Sequence, residues 1–247
     1  AFNAAGKRAV VVLNVGGVVE TASWKAVPDA ILLAWQAGQE GGNTVADVLA
    51  GVVNPSGKLS MTFPVNYMDN ISSKNFPYDF TINQKDLWQL FIGNASDGKE
   101  PKANVDYTVY AEDVYVGYRY FDTFGVEVSY PFGYGLSYTS FDYSDAAVKS
   151  RGGKYTATVT VTNSGNKAGK EVVELYVASP ACSAGRPAQE LVAYAKTSLL
   201  NPGESETLTL VFDRSQLGWY DEARTAWILE KGNYELRFGA SSRDIRC

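Results

Sequence analysis

Carboxylates are the side chains in this sequence best suited to acid–base or nucleophilic chemistry. The chain contains no histidine, which excludes the Ser-His-Asp triad, the Cys-His pair and the common zinc sites. Two carboxylates held at a set distance can hydrolyse a glycosidic bond. The candidates by residue type are Glu20, Glu40, Glu112, Asp113 and Asp122. None of them lies in a sequence context that marks a raised pKa, so each is predicted to be a solvated surface group.

Two short motifs resemble functional patterns but fit ordinary turns better. Ser56 and Lys58 are close enough in sequence to suggest a Ser-Lys nucleophile pair, yet Asn54-Pro55 precedes them and favours a turn. The glycine loop from Gly38 to Asn43 precedes a predicted helix, and helix N-termini bind anions. Its spacing matches neither phosphate-binding motif, and Glu40 would repel a phosphate. This loop is therefore predicted to be a strand-to-helix turn in which glycine permits close packing.

Aromatic residues are concentrated in residues 114–138, VYVGYRYFDTFGVEVSYPFGYGLSY. The stretch suggests either a platform that stacks on sugar rings or a structural seam between two domains. Buried tyrosines bring apolar area and a hydroxyl that needs a partner, which suits a seam. Gly133 and Gly135 would permit a sharp turn there. We therefore interpret the stretch as the hinge that fixes the second half of the chain against the first.

A second aromatic group lies further along the chain. Trp219, Tyr220 and Trp227 could stack on sugar rings, as in a non-catalytic binding or scaffolding module. The more ordinary interpretation, which we favour, is that they fill the core of a β-sandwich.

Length and composition exclude several classes of protein. The 247 residues suit one large domain or two ordinary ones, and 45% of them are hydrophobic. A net charge of −5 without a basic run predicts that neither nucleic acid nor an anionic membrane is a partner. No apolar run reaches the roughly 20 residues that span a bilayer. Secreted, periplasmic and cytoplasmic locations all remain open. Cys182 and Cys247 could form a disulfide or be unrelated.

The first half of the chain has the pattern of a parallel sheet with helices. Residues 9–16, AVVVLNVG, and residues 30–35, AILLAW, are short apolar runs typical of buried parallel strands. Residues 18–27 are predicted to be a short helix, and the sequence NTVADVLAGVV that begins at Asn43 predicts another. Two strands cannot cover both faces of a parallel sheet. We therefore expect the remaining strands to come from residues before Ala1 or from another chain.

After Tyr138 the apolar period changes to two residues. KYTATVTVTNSG, GKEVVELYVASP, ELVAYAKTSLLNPG, ESETLTLVF, AWILEKG and NYELRFGASS alternate apolar and polar residues and end on turn signals. This pattern predicts an antiparallel sandwich of about 100 residues. Residues 65–112 between the two halves are polar and loop-like, and loops of that length are often functional.

Long ordered motifs resemble the C-terminal part of family 3 glycoside hydrolases of the β-glucosidase type. They are WQAGQEGGNTVADVLAGVVNPSGKLSMTFP, VYVGYRYFDTFGVEVSYPFGYGLSYTSF, NSGNKAGKEVVELYV, LLNPGESETL and GASSRDIR. The resemblance covers nearly the whole chain and implies a partial α/β sandwich domain followed by a fibronectin type III-like, immunoglobulin-like sandwich. The implied boundaries are residues 1–63 for the second half of the α/β domain, 64–135 for a connecting segment and 136–247 for the fibronectin-like domain.

The resemblance also implies where the chemistry lies. Family members are retaining enzymes that use an Asp nucleophile and a Glu acid/base, and neither catalytic motif is matched by a residue of this chain. We therefore assign no catalytic, metal or cofactor-binding residue, and two-carboxylate chemistry needs no cofactor. The chain alone is predicted to be inactive. Its expected partners are an N-terminal fragment of the same enzyme and a β-glucoside or oligosaccharide, with β-xylosides or α-L-arabinofuranosides as alternative substrates.

Substrate contacts within this chain are expected only at its loops. The loop from Tyr67 to Asp106 and the strand ends at Asn14 to Gly17 and Gln36 to Glu40 are the nearest candidates, because ligands bind at the carboxyl ends of parallel strands.

Overall fold

A short parallel sheet and one helix form the first part of the computed structural model, which describes residues 6–74, 111–180 and 185–247. Strand β1 (Val10–Leu13) pairs in parallel with β2 (Ala30–Leu33), with Val10 opposite Ala30. Helix α1 follows at Gly41–Leu49. Both predicted strands and the second predicted helix are confirmed, although α1 begins two residues before Asn43.

The helix predicted at residues 18–27 is wrong, because the structure has turns there. The Glu20 carboxylate accepts hydrogen bonds from the backbone N–H and the hydroxyl of Ser23, at 2.8 and 2.6 Å. Such bonds between a side chain and a nearby backbone group compete with the helical pattern. The β-branched residues Val18, Val19 and Thr21 also have weak helix propensity.

The connection to the second half contains short elements. Strand β3 (Phe63–Pro64) pairs with β4 (Val128–Tyr130), 3₁₀ helices occupy Tyr67–Asp69 and Ile71–Lys74, and helix α2 spans Tyr118–Thr123. No helix in the described ranges is long and apolar enough to cross a membrane. Most of the loop from Tyr67 to Asp106 and Cys182 lie outside the described residues, whereas Cys247 is a free, exposed thiol.

Two antiparallel sheets form the second half. One sheet has the order β5-β6-β9 and contains Phe141–Arg151, Lys154–Asn163 and Ser205–Asp213. The other has the order β13-β12-β7-β8 and contains Asp244–Ile245, Glu235–Ser241, Val172–Ala178 and Glu190–Lys196. The predicted all-β sandwich is confirmed.

The sandwich core lies between these sheets and explains the period of two. Along β6, Ala157, Val159 and Val161 are fully buried, whereas the threonines between them lie on the other face. The cluster continues through valine, leucine and phenylalanine residues of the neighbouring strand β9 and of β7 and β12 in the facing sheet: Leu208, Leu210, Phe212, Val173, Leu175, Val177 and Phe238. This alternation is what a sheet with one buried face requires.

A separate hairpin joins the two sheets, and its aromatic residues are not in the core. Among the residues that the structure describes, strands β10 (Trp219–Asp221) and β11 (Ala226–Ile228) pair only with each other. Trp219 is partly buried, but Tyr220 and Trp227 are exposed. The prediction that these residues fill the sandwich core is therefore wrong for Tyr220 and Trp227, because they point to the outer face of a hairpin that lies outside both sheets.

Candidate functional site

Two of the predicted surface carboxylates are confirmed as such. Glu20 is exposed, and its hydrogen bonds from Ser23 lower the pKa of its carboxyl. Glu40 is exposed and accepts a 2.6 Å hydrogen bond from the Asn43 side chain. Both carboxylates are held by local turn partners, and the lowered pKa of Glu20 is the opposite of the raised pKa that a general acid needs.

Two others are not surface groups, so the prediction is wrong for them. Asp122 is mostly buried because Arg243 covers it, with Arg243 Nε donating to Asp122 Oδ1 at 2.7 Å. Glu112 is buried, and its Oε2 has no hydrogen-bond partner among the described residues. The neighbouring Asp113 is exposed and has a φ of 52°. The five candidate carboxylates therefore occupy separate structural positions.

The glycine loop is a strand-to-helix turn, as predicted. Glu40 is the N-cap residue of α1, which places a negative charge where a phosphate would bind. A Cβ atom on Gly41 would lie 2.6 Å from the Cβ of Ala37. Glycine is therefore needed at this position for close packing.

A network of polar contacts joins the two halves of the chain. We call this contact the seam; it consists of residues 54–59 and 117–137 where they meet strands β7, β8 and β12. At its centre, Lys58 Nζ donates to Glu171 Oε1 at 3.1 Å and to the Ala240 carbonyl oxygen at 3.0 Å. Lys58 and Glu171 are both nearly inaccessible. Lys58 is therefore one partner of a buried ion pair and is not available to activate Ser56.

Glu171 has a second partner in the sandwich. The hydroxyl of Tyr143 donates to Glu171 Oε1 at 3.0 Å. Burial and the adjacent negative charge of Glu171 raise the pKa of Tyr143 well above its usual range. The phenol therefore stays protonated and remains a donor.

A second buried carboxylate, Glu174, lies within strand β7, three residues after Glu171. Glu174 is 5% exposed and accepts a hydrogen bond from the Tyr176 hydroxyl at 2.5 Å. Burial raises the pKa of the Glu174 carboxyl to about 7, although the Tyr176 hydrogen bond and the charge of Lys58 oppose the rise. A Cβ atom on Gly133, whose φ is 80°, would overlap both Glu174 carboxylate oxygens. Only glycine fits at this point of the seam.

Aromatic rings complete the seam. The ring of Tyr118 stacks on Phe132 with centroids 4.9 Å apart and meets the edge of Tyr176 at 5.8 Å. The Tyr118 hydroxyl also accepts a 2.7 Å hydrogen bond from the backbone N–H of Leu191 in β8. These contacts agree with the interpretation of residues 114–138 as a structural seam, because the rings of Tyr118 and Phe132 pack within it. Phe124 and Tyr138 of the same stretch are exposed.

Arg243 and Asn54 form further hydrogen bonds across the seam. Besides Asp122, Arg243 donates to the carbonyl oxygens of Phe121 and Val126 at 3.2 and 2.8 Å. Asn54 donates to the carbonyl of Ala168 at 2.9 Å and accepts from the Tyr138 backbone at 2.8 Å. Sequence reasoning missed these partners because most of them lie about 85 to 120 residues apart.

The seam is built for structure and not for catalysis. A retaining glycosidase needs two accessible carboxylates on either side of the scissile bond, whereas Glu171 and Glu174 are buried and already hydrogen-bonded. Within residues 6–74, 111–180 and 185–247, no cluster of three His, Cys, Asp or Glu residues is arranged to hold a metal ion.

The two predicted strand ends do come together. A Cβ atom on Gly16 would lie 2.8 Å from Nε2 of Gln36, so the segments that follow β1 and β2 are adjacent. This is the edge at which parallel strands present ligand-binding groups.

Comparison with known proteins identifies two sequence families in the chain. Residues 1–138 match the glycosyl hydrolase family 3 C-terminal domain, and residues 171–242 match the fibronectin type III-like domain. The predicted resemblance and the predicted fold class are both confirmed.

The relatives are glycosidases several times longer than this chain. Beta-glucosidase A of Butyrivibrio fibrisolvens is 42% identical, over 96% of this chain and 28% of that protein. An exo-alpha-(1->6)-L-arabinopyranosidase of Bifidobacterium breve is 39% identical, over 98% of this chain and 29% of that protein. The structure of beta-glucosidase 3B from Thermotoga neapolitana in complex with alpha-D-glucose is 46% identical, with a TM-score of 0.85, and the match covers all of this chain and 31% of that one.

Proposed function

Because the chain belongs to glycosyl hydrolase family 3, we propose that it is the C-terminal part of a retaining exo-β-glucosidase. The complete enzyme would remove glucosyl residues from the non-reducing end of β-glucosides through an Asp nucleophile and a Glu acid/base, with no cofactor. The observation that carries this proposal is a match to beta-glucosidases over nearly all of this chain but less than a third of theirs.

The role proposed for this chain is to complete and support the catalytic body. Its buried carboxylates Glu171 and Glu174 belong to the seam, and the surface carboxylates Glu20 and Glu40 belong to local turns. We therefore place both catalytic carboxylates outside this chain and expect no turnover from it alone.

The proposed partner is the N-terminal part of the same enzyme. Val10 and Val12 of β1 and Val52 and Val53 after α1 are exposed, although strands of this type normally have both faces covered. An α/β body that continues the sheet would bury these side chains. Where the two parts meet, we expect the strand ends at 14–17 and 36–40 to lie nearest the substrate.

We propose the domain boundaries 1–63, 64–135 and 136–247. The family 3 match ends at residue 138 and the first sandwich strand begins at Phe141, which supports the second boundary. The pairing of β3 with β4 across the middle segment supports its assignment as a connection that returns to the α/β part.

A second substrate class is favoured by one relative. The similarity to an exo-alpha-(1->6)-L-arabinopyranosidase makes an α-L-arabinopyranoside the main alternative to a β-glucoside. The family resemblance also implies β-xylosides and α-L-arabinofuranosides as alternative substrates, and the test below includes both.

The test compares the chain alone, the N-terminal remainder alone and the two combined. The substrates are the 4-nitrophenyl β-D-glucoside, α-L-arabinopyranoside, β-xyloside and α-L-arabinofuranoside. We expect release of 4-nitrophenol only from the combination, and fastest from the β-D-glucoside. Turnover by this chain alone would contradict the placement of the catalytic carboxylates. A faster rate on another glycoside would replace the proposed substrate.

A further inference from the structure

The outer face of the hairpin β10–β11 carries an exposed pair of aromatic side chains. Tyr220 and Trp227 are directly opposite each other across the two strands, and 45% and 72% of their surfaces are exposed. The ring centroids are 5.7 Å apart and the ring planes make an angle of 68°. We call this pair the aromatic corner. The two rings together offer exposed apolar surface at one place on the hairpin.

The hairpin does not need these two rings to hold its place. Residues on either side of it pack into the sandwich: Leu217 before β10 belongs to the buried core cluster and Leu229 after β11 packs against that cluster. On the other face of the hairpin, Trp219 and Ile228 are partly buried. The aromatic corner therefore projects from a hairpin that is anchored independently.

The size of the aromatic corner decides what can bind it. A Tyr or Trp side chain offers about 150–250 Å², so the exposed part of this pair amounts to at most about 300 Å². A stable protein–protein interface needs about 800 Å² on each partner. The charged residues Glu222 and Arg224 are exposed at the hairpin tip and interrupt the apolar surface. The corner is too small for a second copy of this chain but matches one or two sugar rings.

The chemistry of the corner fits a β-linked glucose chain. In β-glucopyranose the hydroxyl groups are equatorial, so both ring faces present C–H groups that pack on an aromatic face. We propose that Tyr220 and Trp227 form a binding site for the glucosyl rings of a β-glucan. The inference rests on the proposed function for the class of sugar.

The test measures the electrophoretic mobility of the full chain in native gels that contain a soluble β-1,3/1,4-glucan, or starch for comparison. We expect the β-glucan to retard the wild type and starch to have less effect. Trp227→Ala should raise the dissociation constant about tenfold and Tyr220→Ala about threefold, because the tryptophan has the larger exposed ring. Trp227→Phe keeps a ring and should recover part of the affinity.

Tyr194→Ala is the matched control. Tyr194 is also 72% exposed, but it has no ring contact among the described residues, and we expect its removal to leave the retardation unchanged. Circular dichroism confirms that each variant is folded. The proposal is overturned if the wild type is not retarded, if starch retards it equally, or if Tyr194→Ala has the effect of Trp227→Ala. It is also overturned if sedimentation shows a dimer that Trp227→Ala dissociates.

Binding and hydrolysis are scored separately. Retardation by β-glucan needs only this chain, whereas release of 4-nitrophenol from the β-D-glucoside needs the combination with the N-terminal part. Retardation without hydrolysis would contradict the proposed function and support the aromatic corner. Hydrolysis without retardation would contradict sugar binding at the aromatic corner and support the proposed function.

Discussion

Two valine-rich strands, β1 in the first half and β7 in the second, have similar sequences but very different environments. Val12 of β1 is 39% exposed, whereas Leu175 of β7 is 0% exposed. In the described residues β1 pairs only with β2, while β7 lies in the interior of its sheet and faces a second sheet. Burial therefore follows from the layer opposite a strand, and an apolar run alone does not provide it.

The largest effect is expected at the ion pair that joins the two regions. Lys58→Met should lower the free energy of unfolding by about 3–5 kcal/mol, because it leaves the Glu171 carboxylate buried without its cation. Urea denaturation of the chain measures this loss. Lys196→Met is the control, since Lys196 is exposed and its ammonium group donates a hydrogen bond to the Ser56 carbonyl oxygen at 3.3 Å without a buried anionic partner.

A double variant sharpens this prediction. Replacing Glu171 with Leu in the Lys58→Met background removes both charges and should restore part of the stability. If Lys58→Met costs no more than Lys196→Met, the seam does not couple the two regions.

The next largest loss of stability is expected at β7, because its side chains are buried whereas those of β1 are partly exposed. Leu175→Ala should cost about 3 kcal/mol, because it removes buried methyl groups and leaves a cavity. Val12→Ala should cost less than about 1 kcal/mol, since much of that side chain is already in water. Urea midpoints of the two variants provide the comparison, and equal losses would contradict it.

Adding the N-terminal part should change the loss of unfolding free energy for Val12→Ala but not for Leu175→Ala. If that part covers β1, Val12→Ala becomes more costly in the combined protein while Leu175→Ala does not. An unchanged cost at Val12 would contradict the proposed covering of β1.

A glycine substitution isolates the steric contact at the seam. Gly133→Ala should cost about 2–3 kcal/mol, because the new methyl group overlaps Glu174 and the φ of 80° is unfavourable for alanine. Gly203→Ala is a close control. Gly203 has the same φ of 80° but no atom within 4 Å of the added Cβ, so only the conformational cost of about 1 kcal/mol remains. Thermal or urea unfolding that gives equal losses would rule out the steric contact.

The smallest effect predicted at a buried group is a pH dependence of stability. Burial raises the pKa of Glu174 to about 7, from the usual value near 4.5 expected in the unfolded chain. The folded state therefore holds this proton more tightly, and the resulting stabilisation is fully present below pH 4.5 and is lost as the pH rises through 7. Between pH 5 and pH 7 the loss is about 2 kcal/mol.

The measurement is urea unfolding at pH 5, 6, 7 and 8. Glu174→Gln cannot ionise, so its stability should be flatter over this range than that of the wild type. Parallel pH profiles for the two proteins would show that Glu174 does not hold its proton. The lowered pKa values of exposed Glu204 and Glu235 act below pH 4.5 and do not affect this interval.

Much of the fold could be predicted from local patterns. The alternation on β6 and β9 and the apolar runs of β1 and β2 identified their type correctly, because period and β-branching reflect which face of a strand is buried. The helix predicted at residues 18–27 failed because the hydrogen bonds from Ser23 to Glu20 stabilise a turn there. Trp227 was misplaced because an aromatic residue in a β-hairpin has the same sequence pattern whether the hairpin covers a core or projects from it.

The sequence by itself determined the family resemblance, the two-part organisation and the type of most strands, since each depends on neighbouring residues or on contiguous motifs. Only the tertiary structure decided the partners of Lys58, Glu174 and Arg243 and the exposure of the aromatic corner. Glu171 lies 113 residues after Lys58, and nothing local to either residue specifies the other. A buried charge is tolerable only where folding brings such a partner to it, so these contacts belong to the fold as a whole.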